Sequence, residues 1–339
     1  MVYSASEIWA LYKNGSSTYF FIRQLIFYLL GFAAYFFVCK INYLQYEKHK
    51  NIFLIISLAL LVIVLIPGIG VVRGGARSWI GYGGFSFQPT EFVKLSMIIF
   101  TASYLSKNKD NMDKLSYLFP ILIVLIIVFG LIMLEPDFGT GFVLVITTIG
   151  MILLSGIKKR FIIISIFIGV IFLSILILSA PYRLARIFAF LDPWSDPLGA
   201  GFQTIQSLYA ISPSGIFGRG LFSSIQKHYF LPEPQTDFIF AIIVEELGLI
   251  GGVIVIIMFF VLFYNAILIS IKSKTLFGTY LAIGITISIF VQFFVNIGVV
   301  ISILPVTGIT LNFLSYGGSS LIMNFIMMGI LVNIFDVTL

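Results

Sequence analysis

The sequence predicts an all-α polytopic membrane protein with about nine transmembrane helices and one large extracytoplasmic loop, and three observations predict it. The first is composition: of 339 residues, 60% are hydrophobic and only 10% are charged, whereas a soluble domain carries roughly 25% charged residues. The second is that long apolar segments recur along the whole chain. The third is that the connections between these segments alternate between basic stretches and stretches rich in Gly and Pro. We therefore expect residues 1–339 to form a single integral membrane domain.

Nine segments are long enough to cross a bilayer, which takes about 20 mostly apolar residues. They are residues 19–39, 51–70, 89–106, 117–135, 139–157, 161–180, 237–270, 276–300 and 319–338. The segment 237–270 exceeds the required length, so we expect it to tilt strongly or to project beyond the bilayer.

The charge of the connections predicts the orientation. Four short connections are basic, and the positive-inside rule places them in the cytoplasm. They are residues 40–50, 107–114, 158–160 and 272–274. The remaining connections are then extracytoplasmic: residues 1–18, 71–88, 135–137, 181–236 and 301–318. Because these outer connections also collect acids, Gly and Pro, and 181–236 is the longest of them, we expect the functional face to be the outer one.

The composition excludes several classes of site. The single cysteine, Cys39, rules out disulfide scaffolds and thiolate metal clusters. His49 and His228 are far apart in the sequence, so a His-rich metal site is not expected. There is no Walker A motif or dinucleotide fingerprint, so nucleotide hydrolysis is not supported. We expect no built-in metal and no nucleic-acid partner.

The rarest residues of the chain concentrate in residues 229–248, which hold four of its 14 acids. Pro232 and Pro234 bracket Glu233, so the chain there is not helical, and a helix is expected to begin near Asp237. Two interpretations of Asp237 stay open. It is either an N-terminal acid that only complements the helix dipole, or a carboxylate at an apolar boundary whose pKa is raised enough for it to act as a general base.

Two further acidic positions fall inside predicted spans. Glu245 lies eight residues after Asp237 and shares roughly the same helix face, so Glu245 or its neighbour Glu246 is expected to line a cavity while the other meets a partner. Glu91 and Lys94 are three apart on a predicted helix and can pair. For that pair we favour a structural role near the site over direct chemistry.

The outer connections also carry cations, where positive charge is normally depleted. They are Arg73, Arg77, Arg183, Arg186, Arg219 and Lys227. As a group they are candidates for phosphate or pyrophosphate binding, since Arg offers two donors to a phosphate; individually, each could instead attract lipid headgroups. Trp79 is either an interfacial anchor or a surface for stacking on a sugar. Ser315 is either cavity lining or an interhelical hydrogen-bond donor.

These features permit two classes of function. One is an enzyme that acts on an anionic, lipid-linked substrate, and the other is a transporter or flippase that moves such a substrate. The residue pattern by itself does not separate them.

Five long motifs occur in a fixed order. They are GGARSWIGYGGFSFQPTEFVKLSMI (74–98), LEPDFGTGFVL (134–144), FLDPWSDPLGAGFQTIQSLYAI (190–211), FLPEPQTDFIFAIIVEELGLIGG (230–252) and NIGVVISILPVTGITLNFLSYGGSS (296–320). Together they resemble the SEDS family of bacterial cell-wall membrane proteins, which includes RodA, FtsW and SpoVE. The wording of PEPQTDFIFAI, DPWSDP and VYSASEIWALYK is most similar to the SpoVE and FtsW branches of that family. The family's YSAS motif lies here at residues 3–6, so the resemblance implies that this chain lacks the first of the family's ten spans.

The resemblance implies peptidoglycan glycosyltransferase activity, in which lipid II is polymerised into glycan strands with inversion and undecaprenyl diphosphate leaves. The family's essential carboxylate falls on Asp237, with the implied role of deprotonating the acceptor hydroxyl. Substrate-binding roles would then fall to Arg73, Arg77, Lys227, Trp79 and Glu233. Supporting roles would fall to Glu91, Lys94, Glu245, Glu246 and Ser315.

The resemblance also implies partners and a location. The partners would be lipid II, a class B penicillin-binding protein and other division or sporulation proteins, in the bacterial cytoplasmic membrane at the septum or forespore. A divalent cation such as Mg²⁺ or Mn²⁺ could accompany the substrate diphosphate. The alternatives are a lipid II flippase, which would need a polar path across the whole membrane, and a division or sporulation scaffold.

Overall fold

The computed structural model describes residues 1–82, 85–111, 114–158, 181–228 and 230–338, with a few isolated positions between 159 and 180. Its helices, numbered in chain order, are α1 (Val2–Asn14), α2 (Tyr19–Cys39), α3 (Leu44–Lys48), α4 (Lys50–Leu65), α5 (Pro89–Lys107), α6 (Phe119–Leu134), α7 (Phe138–Leu153), α8 (Pro181–Leu191), α9 (Phe202–Ile211), α10 (Ile239–Lys272), α11 (Leu276–Val300) and α12 (Gly318–Thr338). Each predicted apolar segment except 161–180 overlaps one of these helices over most of its length. The segment 161–180 lies outside the described residues, apart from those isolated positions.

Four of the described helices are long and apolar enough to cross a membrane: α2, α10, α11 and the Gly318–Val337 part of α12. Three more, α4, α6 and α7, are apolar but have 16 residues each. Helix α5 has the length of a span but carries the Glu91–Lys94 pair, and most of its residues are buried. The chain is therefore a predominantly helical membrane protein.

Local sequence explains where several helices begin and end. Helix α5 starts with Pro89 in its first turn, where the missing N–H costs nothing. Helix α7 starts after Asp137, whose carboxylate accepts a hydrogen bond from the Thr140 N–H. Helix α1 ends at Gly15, which takes the left-handed conformation with φ 71°.

The prediction of an all-α fold is wrong in one place, because the connection before α5 forms a small antiparallel sheet. Strands β1 (Gly70–Arg73), β2 (Ala76–Tyr82) and β3 (Phe85–Phe87) pair in the order β1-β2-β3. The turn between β1 and β2 is Gly74–Gly75, with φ of 56° and 85°. Two consecutive residues with positive φ are what a tight hairpin turn requires, and glycine supplies them without strain.

The described residues group into two compact units, each considered by itself below. The first unit comprises Met1–Ile26, Ile162–Val261 and Gln292–Gly317. The second comprises Phe27–Phe161, Leu262–Val291 and Gly318–Leu339.

The second unit has an apolar core built by helices α4 to α7. Its buried members are Leu61, Val93, Met97, Leu125, Val128, Ile132 and Leu144. This core holds the helices that carry the Glu91–Lys94 pair and the α6–α7 turn.

In the first unit, helix α10 is interrupted, and the backbone of a loop forms hydrogen bonds with the residues on both sides of the interruption. The break lies at Gly248, with φ 68° and ψ −168°. The N–H groups of Leu249 and Ile250 donate to the carbonyls of Gly215 and Ile216, over 3.0 and 3.2 Å. On the other side of the break, the N–H groups of residues 219 and 220 donate to the carbonyls of residues 245 and 246, both over 2.9 Å. The groups that a helix break would orphan are thus satisfied by the loop.

Candidate active site

Asp237 lies in the turn that precedes α10 in the first unit. The helix begins at Ile239, two residues later than predicted. The Asp237 side chain is partly buried, while the neighbouring Phe238 is fully buried. The carboxylate therefore sits where an apolar helix meets a polar turn.

Three consecutive carbonyls of this turn are held by hydrogen bonds from another part of the first unit. The Tyr316 N–H donates to the carbonyl of residue 235 over 2.8 Å. The Ser315 hydroxyl donates to that of residue 236 over 2.5 Å. The Asn296 side-chain amide donates to that of residue 237 over 2.7 Å. Asn296 and Ser315 are 1% and 4% exposed, so the backbone that carries Asp237 is fixed by buried partners.

The surroundings of Asp237 raise the pKa of its carboxyl above the ordinary value. Burial is the main cause, and the negative charge of Glu233 adds to it. Hydrogen bonds from the Thr236 hydroxyl and from the Asp237 backbone N–H act in the opposite direction, as does the positive charge of Arg186. A carboxylate with a raised pKa is a stronger base, which suits it to accept a proton from a hydroxyl group.

Glu233, a predicted substrate-binding residue, is exposed at the start of the same turn. Its backbone has φ 43°, an uncommon conformation for a residue with a side chain. Its carboxylate lies 3.1 Å from the ammonium of Lys13, which belongs to α1. Lys13 was not predicted as a site residue, since nothing in the sequence spacing relates it to a position 220 residues away.

Glu245 and Glu246, predicted to line a cavity or meet a partner, are both buried and both bonded. Glu245 accepts from the Ser224 hydroxyl over 2.5 Å and from the Ile225 N–H over 2.8 Å. Glu246 accepts from the Ser4 hydroxyl over 2.5 Å. In this structure the two carboxylates tie the loop after Gly215 and helix α1 to α10.

Lys227, a predicted phosphate ligand, is 1% exposed and lies in the same network. Its ammonium is 2.7 Å from a carboxylate oxygen of Glu7, 2.8 Å from the Phe222 carbonyl and 3.6 Å from a carboxylate oxygen of Glu246. A contact between Lys227 and a substrate phosphate would therefore require this buried network to open.

The other predicted substrate-binding residues lie on the sheet of the second unit. Arg73 is exposed on β1, with its guanidinium 5.1 Å from the centre of the Trp79 ring. Arg77 on β2 donates through its guanidinium to the Leu65 carbonyl over 3.3 Å. Arg73 thus presents a cation at the surface, while the Arg77 guanidinium is hydrogen-bonded to the backbone of α4.

The predicted Glu91–Lys94 pair is present in the second unit. Their charged groups lie 3.0 Å apart, and the side chains are only 5% and 3% exposed. A buried pair of this kind is costly to break, because removing one partner leaves the other as an uncompensated charge.

Glu135 is a feature of the second unit that sequence reasoning did not select. It lies in the turn between α6 and α7 and is 0% exposed. Neither carboxyl oxygen has a hydrogen-bond partner among the described residues. Burial, followed by the charge of Asp137, raises the pKa of Glu135 to about 9. The signal available from sequence was the acid in the Glu-Pro-Asp turn beside an apolar helix.

Among the described residues, no three His, Cys, Asp or Glu side chains come together as metal ligands.

Comparison with known proteins shows which family the chain belongs to. Residues 1–338 match the FtsW/RodA/SpoVE family, described as cell cycle proteins. The chain is 50% identical to Stage V sporulation protein E of Bacillus subtilis (strain 168) over 338 residues, covering 98% of this chain and 92% of that protein. It is 42% identical to the probable peptidoglycan glycosyltransferase FtsW of Trichlorobacter lovleyi over 335 residues, covering 98% and 88%.

Two solved structures are similar as well. One is a chain from a peptidoglycan synthase complex that coordinates polymerization and crosslinking, with a TM-score of 0.82, 27% identity and coverage of 99% of this chain and 95% of that one. The other is the rod shape determining protein RodA of Thermus thermophilus, with a TM-score of 0.70, 23% identity and coverage of 98% and 93%, a likeness of fold. The predicted family is confirmed: this chain belongs to the FtsW/RodA/SpoVE family.

Proposed function

We propose that this protein is a peptidoglycan glycosyltransferase that polymerises lipid II in the bacterial cytoplasmic membrane. The observation that carries the proposal is the Asp237 carboxylate, held on a fixed turn at an apolar boundary with a raised pKa. The relatedness to probable peptidoglycan glycosyltransferases supports it.

In the proposed reaction, Asp237 takes the proton of the acceptor's GlcNAc 4-hydroxyl. The oxygen so released attacks the anomeric carbon of the donor's MurNAc from the face opposite the diphosphate. The bond between that carbon and the diphosphate oxygen breaks, undecaprenyl diphosphate leaves, and the configuration is inverted. Proton transfer by a positioned base typically contributes about 10²–10⁴ to the rate.

Binding of the substrate's anionic part is assigned to Arg73 and Arg77, with Trp79 as a candidate sugar contact. Arg73 is the more accessible of the two arginines, since it is exposed, with its guanidinium 5.1 Å from the centre of the Trp79 ring. Lys227 and Glu233 stay proposals that depend on rearrangement of their ion pairs with Glu7 and Lys13. A divalent cation on the diphosphate is likewise a proposal, which chelation during the assay would test.

We further propose nine membrane spans with the active face outside, and a class B penicillin-binding protein as partner. The charge distribution of the connections supports the orientation. The similarity to a chain from a synthase complex that coordinates polymerization and crosslinking supports a crosslinking partner. The proposed location is the septum or the forespore membrane.

The competing function is a lipid II flippase, and one experiment separates the two. The purified protein is reconstituted with its penicillin-binding partner in vesicles that contain lipid II. The expected result is glycan strands on a gel. The penicillin-binding partner alone should form none. Movement of lipid II between leaflets without any polymer would contradict the proposal and favour the flippase.

A further inference from the structure

The Thr236 hydroxyl lies between two acceptors but has only one proton to donate. Its oxygen is 2.7 Å from the Glu233 carbonyl and 2.8 Å from a carboxylate oxygen of Asp237. Both distances are those of O–H···O hydrogen bonds. If the hydroxyl donates to the carbonyl, the contact with Asp237 is a hydrogen bond only when Asp237 carries a proton and donates it. If Asp237 is ionised, the hydroxyl must turn to donate to the carboxylate.

We propose that Thr236 is a positioning residue for Asp237 that reverses the direction of its hydrogen bond each time Asp237 gains or loses a proton. Before the reaction, Thr236 donates to the Asp237 carboxylate and stabilises its charge. After Asp237 has taken the acceptor's proton, Thr236 turns towards the Glu233 carbonyl and accepts from the new carboxylic acid. Thr236 keeps its own proton throughout. When Asp237 is ionised, that proton forms the hydrogen bond to the carboxylate. When Asp237 is protonated, its proton forms the bond to Thr236 and the Thr236 proton forms the bond to the Glu233 carbonyl. The inference rests on the proposed function, because it requires Asp237 to act as the base.

The backbone makes this reversal inexpensive. The Glu233 carbonyl also accepts from the Thr236 backbone N–H over 3.1 Å. When the hydroxyl turns away, that carbonyl keeps a partner, so no polar group is left unsatisfied. The Thr236 carbonyl is fixed by Ser315, and the Asp237 carbonyl by Asn296. The hydroxyl therefore turns on a backbone that is held still.

Other charges near Asp237 come from three elements of the first unit. Glu233 in the same turn raises the pKa of Asp237, and Arg186 of α8 lowers it. Lys13 of α1 is paired with Glu233. None of these groups changes with a substitution at Thr236, so such a substitution isolates the contribution of the hydroxyl.

The test is the pH dependence of polymerisation by Thr236→Val and Thr236→Ser, with lipid II as substrate and the penicillin-binding partner present. The Val side chain has the shape of Thr without the hydroxyl, so both forms of Asp237 lose a hydrogen bond. The ionised form loses the stronger, charge-assisted one, so the pKa of Asp237 rises. We expect the acidic limb of the rate profile to move up by about one pH unit in Thr236→Val. In Thr236→Ser the hydroxyl remains, and the limb is expected to stay within a few tenths of a unit of the wild type.

Ser315→Ala is the matched control. It removes a hydroxyl that holds the Thr236 carbonyl instead of contacting the carboxylate. It should lower the rate at every pH without moving the limb, as any purely structural loss would. Thr236→Ala serves as a second hydroxyl-free variant, and thermal unfolding identifies variants that do not fold.

Two outcomes would contradict the proposed role of Thr236. One is a limb in folded Thr236→Val or Thr236→Ala at the wild-type position, and the other is a limb in Thr236→Ser that moves as far as in Thr236→Val. Failure of the wild type to polymerise lipid II would instead refute the proposed function. The two failures are therefore distinguishable.

Discussion

The ammonium of Lys13 lies 3.1 Å from a carboxylate oxygen of Glu233, four residues before Asp237. This ion pair joins α1 to the turn that carries the candidate base. Because the charge of Glu233 raises the pKa of Asp237, we expect the paired ammonium of Lys13 to offset part of that effect. Helix α1 would then influence a residue more than 200 positions away.

Removing either partner of this pair should shift the pH profile of polymerisation, and in opposite directions. Lys13→Ala leaves the Glu233 charge uncompensated, so the pKa of Asp237 rises and the acidic limb moves to higher pH. Glu233→Gln removes that charge, so the limb moves to lower pH. Both groups are about half exposed, so each shift should be about half a pH unit or less.

Lys107→Ala is the control for this pair of variants. Lys107, which is exposed, forms an ion pair with the partly buried Glu47 at 3.7 Å. Its removal should leave the limb in place. Shifts of the same sign in Lys13→Ala and Glu233→Gln would show that their effects are not electrostatic.

Buried Glu135 should make the stability of the protein depend on pH. Its pKa is raised from 4.5 to about 9 in the folded state, so between these values the folded protein holds a proton that the unfolded chain releases. The free energy of unfolding therefore falls as the pH rises through this window. We expect the Tm in detergent to fall by roughly 2–4 °C per pH unit from this group, and Glu135→Gln to remove that slope.

Glu47→Gln is the control, because Glu47 is an acid of the same unit that is paired with Lys107. It should leave the slope unchanged. A Glu135→Gln variant whose Tm falls with pH as steeply as that of the wild type would mean that Glu135 is ionised when folded.

Substitution of Gly248 should detach the loop whose backbone is hydrogen-bonded to α10 on both sides of its interruption. A Cβ at Gly248 would overlap the Ile216 carbonyl and the Gly218 backbone nitrogen, and its φ of 68° disfavours any side chain. Gly248→Ala is expected to lower stability by about 2 kcal/mol or more and to open the loop to proteolysis near residues 215–220. Gly130→Ala, at a helical position with open space around it, should do neither. An equally protected loop in Gly248→Ala would contradict the structure at this break.

The Glu91–Lys94 pair should show strong coupling in a double-mutant cycle. Glu91→Gln or Lys94→Met alone leaves one charge buried and is expected to cost about 3–5 kcal/mol. The double variant leaves none and should cost clearly less than the sum. Additive losses in thermal unfolding would show that the two charges do not depend on each other.

Sequence reasoning located what is encoded locally. The apolar stretch 276–300 coincides with α11, and the spacing of Glu91 and Lys94 predicted their pairing, because both depend on neighbouring residues only. The hairpin at Gly74–Gly75 was missed because its strands are short and their composition resembles that of an outer loop. The partner of Lys227 was beyond reach, since Glu7 lies 220 residues earlier and only the fold brings the two together.

The break in α10 was also beyond reach. An isolated glycine within an apolar run usually continues a helix, and only the bonding of residues 215–220 shows why Gly248 does not. The place of Asp237 at the start of a helix was predicted from Pro232, Pro234 and the apolar run that follows. Its three backbone anchors come from residues 296–316, which the sequence alone could not assign to it.

The central claim is that Asp237 is the base of the polymerisation reaction, and Asp237→Asn tests it most directly. Asn keeps the size and most contacts of Asp but cannot accept the proton. Lipid II polymerisation is measured by strand formation for the wild type, Asp237→Asn and Asp237→Glu, each with its penicillin-binding partner and matched for thermal stability. We expect Asp237→Asn to lose activity by about a hundredfold or more, while Asp237→Glu retains a measurable fraction. A folded Asp237→Asn that forms strands at the wild-type rate would contradict the account.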